Sequence, residues 1–140
     1  MGYRRSSHAV YDAKYHLVWI PKYRKEILAG RPGERLKEIF QEIAEQYGFE
    51  IDAMEAMSDH VHIFLSFPPR YSISEVVGIL KSWSARKMFG EFEWLKRELW
   101  GGELWGDGYF ARTVGDQVTA EVIRRYIRYQ KAEEDQPKLF

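Results

Sequence analysis

The segment Asp59–Leu65 carries two histidines separated by one valine, and these imidazoles are candidates for metal chemistry. The segment alternates polar and apolar residues as a half-buried β-strand does, so His60 and His62 are predicted to share one face. The opposite face would enter a core through Val61, Ile63, Leu65 and Phe67. Two imidazoles about 7 Å apart along a strand can converge on one ion if further ligands are present. The alternative is two half-exposed strand histidines that bind nothing.

A second candidate group lies near the end of the sequence, where Tyr126 and Gln130 are four residues apart. On a helix this spacing places both side chains on one face. His60, His62 and Gln130 would form a neutral, incomplete ligand set that water and a phosphate could finish, which favours Mg²⁺ or Mn²⁺. Tyr126 would then be a nucleophile one turn from the metal, with Tyr129 as the competing nucleophile. The alternative is that Tyr126 extends the apolar stripe of its helix.

Composition limits the class of protein. The 140 residues suit a single domain over residues 1–140, and 45% of them are hydrophobic, which excludes a disordered chain. The absence of Cys excludes disulfides and thiolate metal sites and fits a cytoplasmic protein. No apolar run approaches the ~20 residues of a membrane span, so no membrane association is expected. The net charge of zero argues against a general nucleic-acid coat protein, although local basic clusters can still form a basic face.

The periodicity of the chain predicts the elements that would position these residues. The predicted strands are Tyr11–Ile20, Phe49–Met57, the histidine strand ending at Pro68–Pro69, and Gly108–Val114. The predicted helices are Glu34–Tyr47, a second from a capping box at Ser72 to about Phe89, a short one within Glu91–Trp100, and Asp116–Glu134. The core face of the second helix is predicted to include Val76, Val77, Leu80 and Trp83. This order predicts an α+β fold, a ferredoxin-like or RRM-like antiparallel sheet with helices mainly on one face.

The histidine pair followed late by Tyr-x-x-x-Gln resembles the HUH single-tyrosine transposases of the insertion sequence 200/605 type, the TnpA-like proteins. Further segments resemble that family in the same order along nearly the whole chain: Tyr15–Trp19, Pro21–Arg24, Met57–His62, Leu80–Arg86, Leu104–Trp105, Gly108–Phe110 and Thr113–Gly115.

The resemblance implies a metal-dependent transposase that cleaves and rejoins single-stranded DNA at hairpin-marked element ends through a 5′-phosphotyrosine, without ATP. It implies Tyr126 as the nucleophile and His60, His62 and Gln130 as ligands of Mg²⁺ or Mn²⁺. It also implies a homodimer in which the tyrosine helix can complete the partner's site. Two alternatives remain: a relative domesticated to process genomic palindromes, and a non-catalytic nucleic-acid-binding module of the same fold.

Several other side chains have two interpretations each. Four basic residues are candidate DNA contacts or plain surface charges: Lys22, Arg24, Arg86 and Lys87. His16 is expected to be a hydrogen-bonded strand histidine rather than a third ligand, and Asp59 a turn residue. Trp100 and Trp105 could stack on unpaired bases, but packing in the core or a dimer interface is expected. The strand Gly108–Val114 is predicted to join sheet edges in the homodimer.

Overall fold

The computed structural model describes residues 13–114, the backbone of Arg4–Arg5 and Val10–Tyr11, and residues 125, 127 and 128. The strands are β1 (Arg4–Arg5), β2 (Val10–Tyr11), β3 (Tyr15–Trp19), β4 (Glu50–Met57), β5 (His60–Ser66) and β6 (Phe110–Thr113). The helices are α1 (Arg31–Tyr47), α2 (Ile73–Glu91) and α3 (Trp94–Glu98), with a 3₁₀ turn at Lys22–Arg24.

Four strands form an antiparallel sheet in the order β4-β5-β3-β6. Each of the connections β3 to β4 and β5 to β6 runs through a long helix, and one inserted strand separates β3 from β4 in the sheet. This split β-α-β order is the ferredoxin-like arrangement, so the predicted fold class is confirmed. The histidine strand β5 lies inside the sheet, between β4 and β3.

The helices α1 and α2 cover one face of the sheet and build the core there. The apolar stripe of α1 is buried at Leu36, Ile39, Phe40, Ile43 and Ala44. The helix begins at Arg31, before the predicted Glu34, because Pro32 fits the first turn of a helix. It ends at Tyr47, as predicted, and Gly48 caps it with a φ of 77°. At the start of α2, Ser72 and Glu75 exchange both hydrogen bonds of the predicted capping box.

The prediction that Trp83 belongs to the core is wrong. Its side chain is 37% exposed, and its indole N–H donates to the Tyr47 hydroxyl at 3.0 Å. The buried stripe of α2 continues instead from Leu80 to Ser84 and Met88, four residues apart each time. Trp83 lies one position off that row, so the helical period places it at the rim of the interface with α1.

Two predicted strands are shorter in the structure. Residues Tyr11–Ile20 do not form one strand, because Val10–Tyr11 pairs with Arg4–Arg5 and only Tyr15–Trp19 joins the main sheet. The strand predicted at Gly108–Val114 is limited to Phe110–Thr113, at one edge of the sheet. The predicted last helix, Asp116–Glu134, lies outside the described residues except for positions 125, 127 and 128, which are helical.

The connection from β3 to α1 has an unusual backbone. Tyr23 and Arg24 have φ of 59° and 52°, so two successive residues other than glycine are left-handed. Each such residue costs about 1–2 kcal/mol. Hydrogen bonds to the segment before β6 fix this turn, from the Lys22 N–H to the Leu104 carbonyl at 2.8 Å and from the Gly106 N–H to the Ile20 carbonyl at 2.9 Å.

Among the described residues, no helix is both long and apolar enough to span a bilayer.

Candidate metal and DNA-processing site

His60 and His62 lie on the same face of β5, as the strand alternation predicts. Their rings stack with centroids 5.7 Å apart and an interplanar angle of 25°. Both side chains are partly buried, while Met57, opposite His60 on β4, is 48% exposed. The β4 ladder holds the backbone of both histidines, and the β3 ladder holds β5 from Val61 onward, including His62. The site therefore presents two imidazoles together from a rigid strand that can be reached from the β4 side.

His16 lies beside this pair on the neighbouring strand β3. Its ring stacks on Phe64 at 4.1 Å and lies 5.5 Å from the His62 ring, and the side chain is 1% exposed. Neither ring nitrogen has a hydrogen-bond partner among the described residues, so the expected hydrogen bond of His16 is not found there. Burial, and then the proximity of His62, lowers the pKa of His16 to about 4. His16 is therefore a neutral ring at pH 7.

The environment of His62 also favours its neutral form. Burial is the largest cause that lowers the pKa of His62, His60 lowers it further, and the Glu55 carboxylate opposes both. The Nδ1 atom of His62 is buried, and the described part of the chain offers it no hydrogen-bond partner. A neutral imidazole keeps a lone pair on one nitrogen, which is the form that binds metals. His62 thus has the protonation state that a metal ligand needs.

His60, in contrast, has a hydrogen-bond partner at Nδ1. Its Nδ1 lies 2.9 Å from Oδ1 of Asp59, and Oδ2 of the same carboxylate accepts a hydrogen bond from Arg24 Nε at 2.7 Å. Asp59 lies in the β4–β5 turn, as predicted. The three side chains are partly buried, with exposed fractions of 18% for His60, 19% for Asp59 and 24% for Arg24. The contact leaves Nε2 of His60 as the nitrogen available to an ion.

The described residues supply only part of a metal site. No three His, Asp or Glu side chains within the described ranges are grouped so that they could hold an ion. The two imidazoles fit a divalent cation if other oxygen ligands complete the sphere. The predicted third ligand Gln130 and the predicted nucleophile Tyr126 lie outside the described residues, as does the competing Tyr129. Nearby, Ile127 is helical and buried.

The predicted DNA-binding side chains have protein contacts of different kinds. The Lys22 ammonium is 3.9 Å from a Glu103 carboxylate oxygen. Arg24 is held by Asp59, as described above. On α2, the Arg86 guanidinium lies 4.9 Å from the Trp83 ring centroid, and the Lys87 ammonium is 3.4 Å from a Glu42 oxygen.

The two tryptophans differ in burial. Trp105 is buried, donates its indole N–H to the Ser84 hydroxyl at 3.0 Å and packs edge-on against Trp19, so the expectation of core packing is confirmed for it. Trp100 is 85% exposed and lies with Phe89 and Lys96 at an open pocket, so core packing is wrong for it.

Two arrangements were missed by the sequence reasoning. The first is the contact of Arg24 with Asp59, 35 residues away, for which only the adjacency of Asp59 to His60 gave a signal. The second is Lys81, whose ammonium donates to the carbonyls of Gly106 and Gly108 at 2.8 Å each, before β6. Burial lowers the pKa of Lys81 to about 8, with Asp107 raising it and Lys22 lowering it. No local pattern marks a lysine that binds carbonyls 25 and 27 residues away.

The sequence matches a known family over most of its length. Residues 9–130 match the family described as IS200-like transposases. The chain is 44% identical over 125 residues to the ISDra2 transposase TnpA of Deinococcus radiodurans, covering 89% of each protein. It is 34% identical over 135 residues to the transposase for insertion sequence element IS200 of Salmonella typhimurium, covering 96% of this chain and 88% of that protein.

Solved structures agree with the fold. A crystal structure of a candidate transposase from Deinococcus radiodurans superposes with a TM-score of 0.78 at 38% identity, covering 91% of this chain and 97% of that one. A REP-associated tyrosine transposase bound to a REP hairpin superposes with a TM-score of 0.52 at 16% identity, covering 92% of this chain and 69% of that one, and this likeness concerns the fold alone.

Proposed function

This chain belongs to the family of IS200-like transposases, whose activity is DNA transposition, and from that premise we propose that it is a metal-dependent transposase of single-stranded DNA. The proposal assigns Tyr126 as the nucleophile and His60, His62 and Gln130 as ligands of Mg²⁺ or Mn²⁺. The observation that carries it is the stacked pair of imidazoles on β5, in which Nε2 of His60 is left available and burial keeps His62 neutral.

In the proposed reaction, the Tyr126 hydroxyl oxygen attacks a DNA phosphorus. A P–O bond to tyrosine forms, the P–O3′ bond breaks, and the leaving oxygen takes up a proton to become a free 3′-OH. A 3′-OH then attacks the 5′-phosphotyrosine, which restores the phosphodiester and releases the tyrosine. The number of phosphoester bonds is unchanged, so no ATP is needed. A divalent ion, when bound, would withdraw electrons from the phosphate and stabilise its developing charge.

The proposed substrate is single-stranded DNA that carries a hairpin near each element end. A protein of the same fold has been solved with a REP hairpin, which supports this class of DNA. The zero net charge means that affinity would depend on local groups such as Lys22, Arg86 and Lys87, which can bind phosphates. The Lys22 ammonium is only loosely paired, since it lies 3.9 Å from a Glu103 carboxylate that is 62% exposed, and such a pair competes weakly with a phosphate.

The chain is further proposed to act as a homodimer. β6 forms one edge of the sheet, and a short edge strand is a surface that a second copy can extend or cover. Mixing inactive Tyr126→Phe with inactive His60→Ala under subunit exchange tests whether the two chains share a site. Recovered cleavage would mean a shared site, whereas a monomeric mass by light scattering at micromolar concentration would contradict the dimer.

The experiment that tests the function uses labelled single strands from the DNA flanking the gene, incubated with the protein and Mg²⁺. A covalent protein–DNA adduct that resists denaturation, and that EDTA abolishes, is expected. Tyr126→Phe should lose the adduct and keep hairpin binding, and Tyr129→Phe is the matched control that should keep both. Hairpin binding without any adduct in the unmodified protein would favour the non-catalytic binding module instead. Paired hairpins at both ends of the gene would separate a mobile element from a domesticated relative.

A further inference from the structure

The side chains of Arg24, Asp59 and His60 form a continuous hydrogen-bonded chain that ends at the candidate metal site. The two oxygens of Asp59 are used separately: Oδ2 accepts from Arg24 Nε at 2.7 Å, and Oδ1 lies 2.9 Å from His60 Nδ1. Thirty-five residues separate Arg24 from Asp59, so the chain joins the β3–α1 connection to the β4–β5 turn.

This contact fixes which nitrogen of His60 carries the proton. The carboxylate of Asp59 is paired with the Arg24 guanidinium, and an ionised carboxylate only accepts hydrogen bonds, so Nδ1 of His60 is the donor. The contact therefore places a proton on Nδ1 of His60 and leaves Nε2, across the ring, as the nitrogen that can face an ion. Carboxylates hold metal-binding histidines in this way in many sites.

A purely mechanical role for the ion pair is less consistent with its surroundings. The same two segments are already joined by the hydrogen bond from the Leu28 N–H to the Ser58 carbonyl at 3.1 Å. The Ser58 hydroxyl also donates to the Glu26 carboxylate at 3.2 Å. The turn is thus attached without Arg24, yet Tyr23 and Arg24 both adopt left-handed backbone conformations at the position from which the guanidinium reaches Asp59.

His62 provides an internal contrast. Its Nδ1 is buried and has no hydrogen-bond partner in the described part of the chain. Glu55, its register partner on β4, acts on it only through charge. Within the described part of the chain, a carboxylate orients His60 but not His62, so removing the Asp59 carboxylate should affect the pair through His60.

We propose that Asp59 and Arg24 are positioning residues of the metal site, which hold His60 so that its Nε2 is presented to the ion. Asp59 fixes the tautomer and ring orientation of His60, and Arg24 fixes Asp59. This inference rests on the proposed metal-dependent function. It also reassigns Arg24, predicted from sequence as a hairpin contact, to the support of the metal site.

The test has a first arm that needs no metal. Nitrogen-15 NMR of the imidazoles in EDTA should show His60 protonated on Nδ1 in the unmodified protein and a shift toward Nε2 protonation in Asp59→Ala. His60→Ala assigns the signal. Asp59→Leu has a similar volume, offers no acceptor to Nδ1, and serves if the alanine variant does not fold. Nε2 protonation of His60 in the unmodified protein, or an unchanged tautomer in both Asp59 variants, would overturn the proposal.

The second arm measures Mn²⁺ affinity by titration calorimetry or electron paramagnetic resonance. Asp59→Ala should weaken binding by about 10–100-fold, the usual effect of losing a carboxylate behind a ligating histidine. Arg24→Gln should weaken it by less, because the Asp59–His60 contact remains. The matched control Asp52→Asn removes a β4 carboxylate that pairs with Lys14 at 3.3 Å and should bind as the unmodified protein does.

The outcomes separate this inference from the proposed function. Absence of Mn²⁺ binding by the unmodified protein would reject the metal site and the positioning role together. Normal binding that Asp59→Ala leaves unchanged would reject the positioning role alone. In EDTA, Arg24→Gln should bind a hairpin oligonucleotide as tightly as the unmodified protein. A loss of affinity there would show that Arg24 contacts DNA and would overturn its reassignment.

Discussion

The two faces of the central sheet differ in whether the buried polar atoms of the described residues have hydrogen-bond partners. On the helix-covered face, the Trp105 indole donates to Ser84, and the Lys81 ammonium of α2 donates to two carbonyls. On the histidine face, both nitrogens of His16 and Nδ1 of His62 are buried with no hydrogen-bond partner among the described residues. The Trp19 indole is an exception on the helix-covered side, since it is buried without a partner in the same described ranges.

The difference separates stability from function within one strand. Val61, Ile63 and Leu65 of β5 are at most 1% exposed and pack under the helices, where burial of apolar area stabilises the fold. His62, between Val61 and Ile63, lowers stability, because its buried Nδ1 has no partner among the described residues and so carries an uncompensated desolvation cost. Each such atom needs an explanation, and the proposed metal site supplies one for the histidine face.

The largest expected effect comes from removing an imidazole. His60→Ala or His62→Ala should reduce Mg²⁺-dependent adduct formation to the level seen in EDTA, because each removes a proposed ligand. Urea unfolding should change little, since both side chains are partly exposed and the apolar face is untouched. Adduct formation by the double alanine variant in EDTA, at the rate of the unmodified protein, would contradict the metal hypothesis.

The converse substitution should affect stability instead. Ile63→Ala, at a side chain that is 0% exposed, should lower the free energy of unfolding by about 2–5 kcal/mol through lost burial and the resulting cavity. Urea unfolding followed by circular dichroism measures this. The fraction that remains folded should bind Mn²⁺ with unchanged affinity. A large loss of affinity in that fraction would mean that the two faces are not independent.

Replacing His16, whose buried ring nitrogens have no partner among the described residues, should stabilise the protein. His16→Phe keeps an aromatic ring stacked on Phe64 and removes two buried nitrogens without partners in the described part of the chain. A gain of about 1–2 kcal/mol in the free energy of unfolding is expected in EDTA at pH 7.5. His16→Ala is the control and should destabilise, because it loses the ring. A destabilised His16→Phe would indicate that the nitrogens contribute to the fold.

The smallest expected effect is a pH dependence of stability that comes from Lys81, on the helix-covered side of the sheet. The folded pKa of Lys81, about 8, lies below its unfolded value, with burial as the main cause. The unfolded chain therefore holds the extra proton between about pH 8 and pH 10.5, so stability rises with pH there. Relative to Lys81→Met, the unmodified protein should gain on the order of 1 kcal/mol across that window, since partial exposure screens the effect. If the difference in the free energy of unfolding between the two proteins does not change with pH, Lys81 is not desolvated.

The sequence predicted those features that depend on local periodicity. The histidine strand, the turn at Asp59, the capping box at Ser72 and the helix end at Tyr47 are all predicted and present. The pairing of Arg24 with Asp59 could not be predicted, because it depends on where two distant turns meet in the folded sheet. The hydrophobicity of Trp83 predicts a core position, but Trp83 lies one residue off the buried row of its helix. The roles of Tyr126 and Gln130 stay predictions.

The alternation of side chains along β5 also limits where insertions and deletions can occur in related sequences. Each residue from His60 to Leu65 pairs with a register partner on β3, on β4 or on both. Deleting one of them would move the side chains beyond it to the opposite face, so that imidazoles would replace apolar groups against the helices. Relatives of this protein should therefore differ in the length of loops such as residues 99–108 and never inside the histidine strand. In an alignment, the absence of gaps would then mark this strand as clearly as the histidines themselves.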